Sequence, residues 1–148
     1  MNDKVRGYAH RVDIAADVQR VWQALIGSEH LARWCSPGAR ISARPGGSFR
    51  ASVDRLVELE AHIDLFEPAR RMRLIYLPAP GLPPTQNAIV DDFMLDMKST
   101  DTIVRLLGSG IPGTSDWDVP YRRLRFGWQQ ALTRLKVLVE KQMKGQTS

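Results

Sequence analysis

The stretch "YRRLRFGWQQALTRLKVLVE", residues 121–140, decides the fold of this chain. Its apolar residues recur at steps of three and four, the spacing of one apolar stripe on an α-helix. The stripe consists of Tyr121, Leu124, Trp128, Leu132, Leu135 and Val139. We expect a helix of roughly 25 residues that begins near Asp118 or Pro120, which is long for a globular protein. An apolar stripe of this length must be buried against a large partner.

The segments before this helix supply that partner as a predicted antiparallel sheet. In "LVELEAHIDLF" (56–66), apolar and polar residues alternate, which is typical of a strand with one buried face. The predicted buried face of that strand consists of Val57, Leu59, Ala61, Ile63 and Leu65. Further strands are predicted in residues 39–53, 71–77 and 88–110, whereas "PAPGLPPTQN" (78–87) reads as a loop.

A strand and two helices precede this β region. Tyr8, His10, Val12 and Ile14 share one predicted strand face. Asp17 is a plausible N-cap of the next helix, which Gly27 ends. Ser28 is predicted to cap a second short helix, with Leu31 and Trp34 facing inward. The order β-α-α-β6-α predicts an α+β fold in which about seven strands pack on the long C-terminal helix.

Composition sets the broad class of the protein. The chain has 148 residues, which fit one domain (1–148), and its apolar share of 43% is ordinary for a globular protein. The net charge of +5 comes from residues spread along the whole length, so we expect no nucleic-acid partner. No window approaches the run of about 18 apolar residues that a membrane span requires, and no secretory signal is visible. With a single cysteine, a cytoplasmic location is expected.

The reactive residue types form no recognisable catalytic set. Cys35 lies five residues after His30, which puts the two about 140° apart around a helix, so a structural thiol is favoured. The three histidines lack metal-ligand spacing, and we expect neither a metal nor a cofactor. Alternation places Asp91 and Asp92 on opposite faces of a strand that we expect to be solvated. No catalytic residue is assigned, and the chain is favoured to be a non-enzyme.

Five segments of the sequence occur in the order and spacing that are typical of a known protein superfamily. They are "IAADVQRVWQALIGSEHLARW" (14–34), "PGGSF" (45–49), "EPARRMRL" (67–74), "DTIVRLLGSG" (101–110) and the long helix (121–140). With them, nearly the whole chain resembles the START-like (SRPBCC, helix-grip) superfamily. Within it, the chain is similar to the group related to the C-terminal domain of the activator of the heat-shock-protein-90 ATPase. The chain departs from the pattern in having no glycine within "LEAHIDL" (59–65) and in its long proline-rich loop.

The resemblance implies a curved sheet that grips the C-terminal helix, with a cavity between them for a hydrophobic or amphipathic small molecule. Strand alternation and helix phase then select the residues that would line that cavity. They are Trp34, Phe49, Leu59, Ile63, Tyr76, Phe93, Tyr121, Arg125, Trp128 and Leu132. Among these, Tyr121 and Arg125 are the groups that would orient an anionic or carbonyl-bearing ligand.

Two other functions stay open at this point. The first is an enzyme of the cyclase or dehydratase kind, which needs a titratable group such as Tyr121, Arg125 or an aspartate reaching into the cavity. The second is a chaperone-associated protein-interaction module, which predicts a broad exposed apolar patch. A homodimer and a protein partner also stay open.

Overall fold

The computed structural model describes residues 4–54 and 57–146. The chain begins with strand β1 (Val5–Ile14) and helices α1 (Val18–Ile26) and α2 (Ser28–Trp34). Six strands follow: β2 (Arg40–Ile41), β3 (Ser48–Asp54), β4 (Val57–Glu67), β5 (Arg71–Tyr76), β6 (Val90–Lys98) and β7 (Asp101–Pro112). A 3-10 turn (Ser115–Trp117) leads into the C-terminal helix α3 (Asp118–Gln146).

Within the described residues, the strands form one antiparallel sheet in the order β1-β7-β6-β5-β4-β3-β2. Strand β1 crosses to the far end of the chain to pair with β7, whereas every other neighbour is consecutive in sequence. The open sheet curves around α3, and α1 and α2 lie at one side of this helix. The predicted α+β helix-grip fold is therefore confirmed.

The predicted stripe of α3 is buried against the inner face of the sheet. Leu124, Leu132, Leu135 and Val139 are at most 2% exposed. Trp128 is fully buried between two aromatic rings of the sheet, with its centroid 5.4 Å from that of Phe93 and 6.2 Å from that of Phe49. The core thus fills the space between helix and sheet with large apolar side chains.

Gly127 sets how closely α3 approaches the sheet. A Cβ atom at this position would lie 2.4 Å from the carbonyl oxygen of Val53, in β3. The helix backbone can therefore lie directly against the backbone of β3 because residue 127 has no side chain.

The corner formed by α1 and α2 is tied together by hydrogen bonds. The Asp17 carboxylate accepts the backbone N–H of Arg20, as predicted for an N-cap. Trp34 donates its indole N–H to the Ala24 carbonyl at 2.9 Å. From α3, the Arg134 guanidinium donates to the Trp34 and Cys35 carbonyls, which stand among the unpaired acceptors at the end of α2.

Two local predictions were wrong. The residue that caps α2 is Gly27, because the Ser28 hydroxyl is engaged with the backbone of Ile41 in β2 instead. In β4, a register shift after Ile63 changes the facing of the strand. As a result Phe66, and not Leu65, packs on the core, with its ring 5.3 Å from that of Trp22. The predicted start of this strand at Leu56 lies outside the described residues.

Candidate functional site

A cavity of about 410 Å³ is lined mainly by the proline-rich segment, residues 77–89, which connects β5 to β6. We call it the proline pocket. It is lined by Tyr76, residues 77–80, residues 82–85, Asn87, Ile89 and Trp117. Most of these side chains are apolar, and none of the described lining residues is charged.

The sequence of the segment gives the pocket a stiff cover. Four of its residues are prolines, each of which fixes its own φ angle. The base of the segment is closed by hydrogen bonds from Tyr76 N–H to the Ile89 carbonyl and from Leu77 N–H to the Glu60 carbonyl. A turn in which Leu82 N–H donates to the Ala79 carbonyl shapes its middle.

Trp117 also lines the pocket and is only 1% exposed. Its indole Nε1–H finds no hydrogen-bond partner among the described residues. The Arg6 guanidinium holds the turn that carries Trp117, since it donates to the Pro112 and Thr114 carbonyls and to the Asp118 carboxylate. The turn that carries this buried lining residue is therefore fixed to β1.

A buried hydrogen-bond network adjoins the pocket through Tyr76. Asp91 is fully buried, and both of its carboxylate oxygens accept tyrosine hydroxyls: Oδ1 from Tyr8 at 2.5 Å and Oδ2 from Tyr76. The Tyr76 oxygen in turn accepts the indole N–H of Trp128 at 3.3 Å. Tyr76 is thus the residue that joins the proline pocket to a buried acid.

Gly108 makes room for this network. Across the sheet, Gly108 pairs with Tyr8 on β1 and with Asp91 on β6, so it lies between them. A Cβ atom on Gly108 would fall 2.3 Å from the Tyr8 ring. The Tyr8 side chain can therefore lie across residue 108 and reach the carboxylate on the next strand.

Burial dominates the titration of this network. It raises the pKa of Asp91 from 3.8 to about 6, although the hydroxyls of Tyr76 and Tyr8 favour the ionised form. Burial together with the Asp91 charge raises the pKa of both tyrosines. Asp91 accordingly exchanges its proton close to neutral pH.

The predicted solvated strand at Asp91 and Asp92 was wrong for Asp91. The two carboxylates do point to opposite faces, and Asp92 pairs with Arg71 on the outer face at 2.6 Å. Asp91 points into the interior, where the two tyrosines make a buried carboxylate tolerable.

Comparison with known proteins adds the family. The family described as Activator of Hsp90 ATPase homolog 1-like protein matches residues 15–140. The chain belongs to this family. The comparison with curated proteins gave no match.

Solved structures agree with this assignment at the level of the fold. Protein MLL2253 from Mesorhizobium loti is 22% identical, with a TM-score of 0.77 over 92% of this chain and 98% of that one. The Aha1 dimer from Colwellia psychrerythraea is 18% identical, with a TM-score of 0.77 over 91% of this chain and 96% of that one. CalU16 from Micromonospora echinospora is 21% identical, with a TM-score of 0.70 over 95% of this chain and 80% of that one.

The START-like superfamily resemblance is thus confirmed, and the helix-grip fold of this activator-homologue family is a ligand-binding fold in general terms. None of the helices in the described part of the chain has the length and apolar character needed to cross a bilayer.

In this family member, the ten residues predicted to line the cavity lie in three different environments. Seven of them are core residues at most 2% exposed: Trp34, Phe49, Leu59, Ile63, Phe93, Trp128 and Leu132. Tyr76 lines the proline pocket. Tyr121 donates its hydroxyl to the Gly7 carbonyl beneath the Arg6 guanidinium, and Arg125 is exposed on the outer side of α3.

Cys35 is a core thiol in this family member. Burial raises its pKa to about 12, so it carries no thiolate near neutral pH, and His30 lies elsewhere, beside a polar groove with Arg20, Gln23 and Gln142. Within residues 4–54 and 57–146, no three His, Cys, Asp or Glu side chains cluster as a metal site would require.

Sequence reasoning missed Trp117, Tyr8 and Asp91 as site residues. Trp117 lies in a segment that is predicted to be an irregular loop. The one sequence feature that could have indicated its role is that it is a large aromatic residue directly before a predicted helix. Tyr8 and Asp91 are separated by 83 positions and meet only through the β1-β7-β6 order of the sheet.

Several large apolar side chains are exposed in the described residues, as the interaction-module alternative would need. They are Val5, Leu77, Met97, Leu107, Val119, Phe126 and Val137. Phe126 and Val137, about 60% exposed each, lie on the outer side of α3. A protein partner at this surface stays a prediction.

Proposed function

We propose that the chain binds a predominantly apolar small molecule in the proline pocket. The observation that carries the proposal is a cavity of about 410 Å³ with a largely apolar lining. This volume falls within the range of about 300–1,000 Å³ that is usual for small-molecule sites. The ligand-binding character of the helix-grip fold supports the same function.

The proline pocket is a different place from the cavity that the sequence suggested between helix and sheet. There, Trp128 packs on both Phe49 and Phe93. The proline pocket lies where the chain connects β5 to β6, in a segment stiffened by prolines. A stiff wall loses little conformational entropy when a ligand binds, which favours affinity.

Binding of N-phenyl-1-naphthylamine, an uncharged probe that fluoresces in apolar surroundings, tests the proposal. We expect saturable binding to the unmodified protein and a Kd at least about ten-fold weaker for Leu82→Arg, because this change puts a charge into an apolar lining. Leu107→Arg is the matched control, since Leu107 is 44% exposed on β7 and does not line the pocket.

The control should bind the probe as the unmodified protein does, and circular dichroism should confirm that both variants are folded. Saturable binding that Leu82→Arg leaves unchanged, or an absence of saturable binding, would refute the proposed site.

A second candidate function is favoured by one observation: Tyr76 lines the pocket and donates to Asp91, an acid with a pKa near neutrality. This is the arrangement of a general acid in a dehydratase-type reaction on a β-hydroxy ketone. The Cβ–O bond breaks as the hydroxyl leaves with the Tyr76 proton, and Tyr76 takes the proton of Asp91. The α-proton passes to water as the C=C bond forms, and solvent returns a proton to Asp91.

Dehydration of 3-hydroxy-1,3-diphenylpropan-1-one, followed by the absorbance of the enone product, tests this candidate. We expect acceleration over buffer that falls above pH 6, as Asp91 loses its proton, and that drops by about 10² in Tyr76→Phe. Tyr121→Phe is the control, because Tyr121 bonds to the Gly7 carbonyl and does not line the pocket. A rate equal to that in buffer, or equal in both variants, rejects the candidate.

A further inference from the structure

We propose that the outer face of α3 docks on the surface of an anionic lipid bilayer, with Phe126 inserted among the lipids. This face is defined by Val119, Arg122, Arg123, Phe126, Val137 and Lys141. Such a role is separate from the binding of a small molecule in the proline pocket, and neither depends on the other. Its basis is a line of exposed apolar side chains flanked by basic side chains without a counter-charge.

The apolar side chains of this face lie in one line along α3. Val119, Phe126 and Val137 are between 47% and 60% exposed. Steps of seven and eleven residues bring them within about 20° of one another around the helix axis, at about 100° per residue. The buried stripe of α3 lies on the opposite side of the helix. One rigid helix therefore presents all three apolar side chains to solvent in the same direction.

Basic side chains lie beside this line and have no carboxylate partner. Arg122 and Arg123 are four and three residues before Phe126, and Lys141 is four residues after Val137, so they are its neighbours on the helix surface. None of the three basic side chains forms an ion pair among the described residues. The apolar line is thus surrounded by unbalanced positive charge.

The two carboxylates of α3 do not neutralise this charge, because both are already engaged. Asp118 pairs with Arg6 at 2.7 Å, and Glu140 accepts the Lys136 ammonium at 2.7 Å and the backbone N–H of Ala15. The sheet shows the opposite arrangement, in which arginines pair with carboxylates across the strands. These are Arg50, Arg71, Arg73 and Arg105.

Positive charge around exposed apolar side chains is complementary to an anionic bilayer. Anionic headgroups attract each Lys or Arg that comes near the surface, and the boundary between headgroups and acyl chains takes up apolar side chains. A second copy of the chain is a poor partner, because a two-fold interface brings the same patch of both copies together. Two outer faces of α3 would bring together basic side chains with no free carboxylate of α3 to pair them.

The spacing of the apolar side chains favours a bilayer over an acidic partner protein. A helix that docks in a protein groove is anchored by residues at i, i+3, i+4 and i+7. Val119, Phe126 and Val137 are instead about 10 and 16 Å apart along the axis, and the polar Gln130 and Thr133 lie between the last two. A lipid surface requires no such register, so widely spaced apolar side chains can enter it.

Co-sedimentation with two kinds of vesicle tests the proposal on the unmodified protein. One kind contains phosphatidylcholine and phosphatidylglycerol in equal amounts, and the other contains phosphatidylcholine alone. We expect binding to the anionic vesicles to be at least about ten-fold tighter than to the neutral ones, and to weaken as salt screens the charges. Equal binding to both kinds, or no binding to either, would overturn the proposal.

The double variant Arg122→Gln/Arg123→Gln should bind the anionic vesicles about ten-fold or more weakly, because it removes two charges from the docking face. The matched control is Arg40→Gln/Arg70→Gln. Both of these arginines are exposed, lie outside α3 and form no ion pair among the described residues. The control lowers the net charge equally and should bind nearly as the unmodified protein does. An equal loss in both double variants would show that net charge alone drives binding, which would overturn the docking face.

Phe126→Ser tests the insertion of the aromatic side chain and should weaken binding to the anionic vesicles by about five-fold or more. Leu107→Ser is the control, since it removes an exposed apolar side chain from β7 and should leave binding unchanged. Circular dichroism should confirm that all variants are folded. Binding that is equal in Phe126→Ser and the unmodified protein would contradict insertion.

Polyglutamate and oligothymidylate are the alternative partners, an acidic polypeptide and a single-stranded nucleic acid. If Arg122→Gln/Arg123→Gln weakens the binding of either polymer but leaves vesicle binding unchanged, the membrane proposal is overturned in favour of that class of partner. The proline pocket takes no part in these measurements, and the binding of N-phenyl-1-naphthylamine decides its role separately.

Discussion

Gly127→Ala should destabilise the protein by about 1–2 kcal/mol, because overpacking costs up to about 3 kcal/mol while helix propensity returns about 1 kcal/mol from Gly to Ala in a helix interior. The added Cβ would lie 2.4 Å from the Val53 carbonyl oxygen, a separation that only movement of α3 or β3 can relieve. Moving α3 would disturb Trp128 and the aromatic contacts next to it. Urea denaturation followed by tryptophan fluorescence measures the loss.

Gly145→Ala is the control on the same helix. A Cβ at residue 145 meets no atom within 4 Å, so only the propensity term acts, and the expected change is a gain of a few tenths of a kcal/mol near a helix end. If both alanine variants were stabilised, the close approach of α3 to β3 would not constrain residue 127.

Asp91→Asn should stabilise the protein at pH 7 to 8 and leave its stability nearly unchanged at pH 4. The folded state raises the pKa of Asp91 from 3.8 to about 6, so it holds this proton more tightly than the unfolded chain does. Stability contributed by the protonated acid is therefore complete below pH 4 and is lost as the pH rises through 6. At 1.36 kcal/mol per pH unit, the loss reaches about 3 kcal/mol.

The measurement is the free energy of unfolding of both proteins at each pH from 4 to 8. The difference between them isolates Asp91 from exposed carboxylates such as Asp13 and Asp64, whose pKa values are lowered by Arg11 and Arg73. Asp92→Asn is the matched control, because it removes a pairing with Arg71 on the outer face. Its free energy of unfolding should fall with rising pH as that of the unmodified protein does. Parallel curves for Asp91→Asn and the unmodified protein would contradict the prediction.

The fold could be predicted from the sequence because its elements have clear periods. The stripe of α3 and the alternation in β4 and β5 each require a partner, and the helix and the sheet are the partners available. Where a period breaks, prediction failed. No residue type in the sequence indicates the register shift after Ile63, so Leu65 was assigned to the buried face in place of Phe66.

The candidate site was harder to predict than the fold, because none of its parts follows the periodicity of a helix or a strand. The proline pocket is built from an irregular connection and a short turn, whose path depends on tertiary hydrogen bonds such as those of Arg6. Alternation did place Asp91 on the opposite face from Asp92. Only the sheet order shows that Tyr8 reaches Asp91 across Gly108, and a lone aspartate reads as a surface residue without that knowledge.

The pairing of β1 with β7 has a consequence for how the protein is made. Val5 pairs with Pro112 and Ile14 with Thr102, so β1 leaves the ribosome well before its pairing partner β7. At about 5–20 residues per second, the roughly hundred residues between them take on the order of 5–20 s to synthesise. During that interval Tyr8 and Ile14 lack the partner strand beside which they become buried, and the nascent chain exposes an unpaired strand.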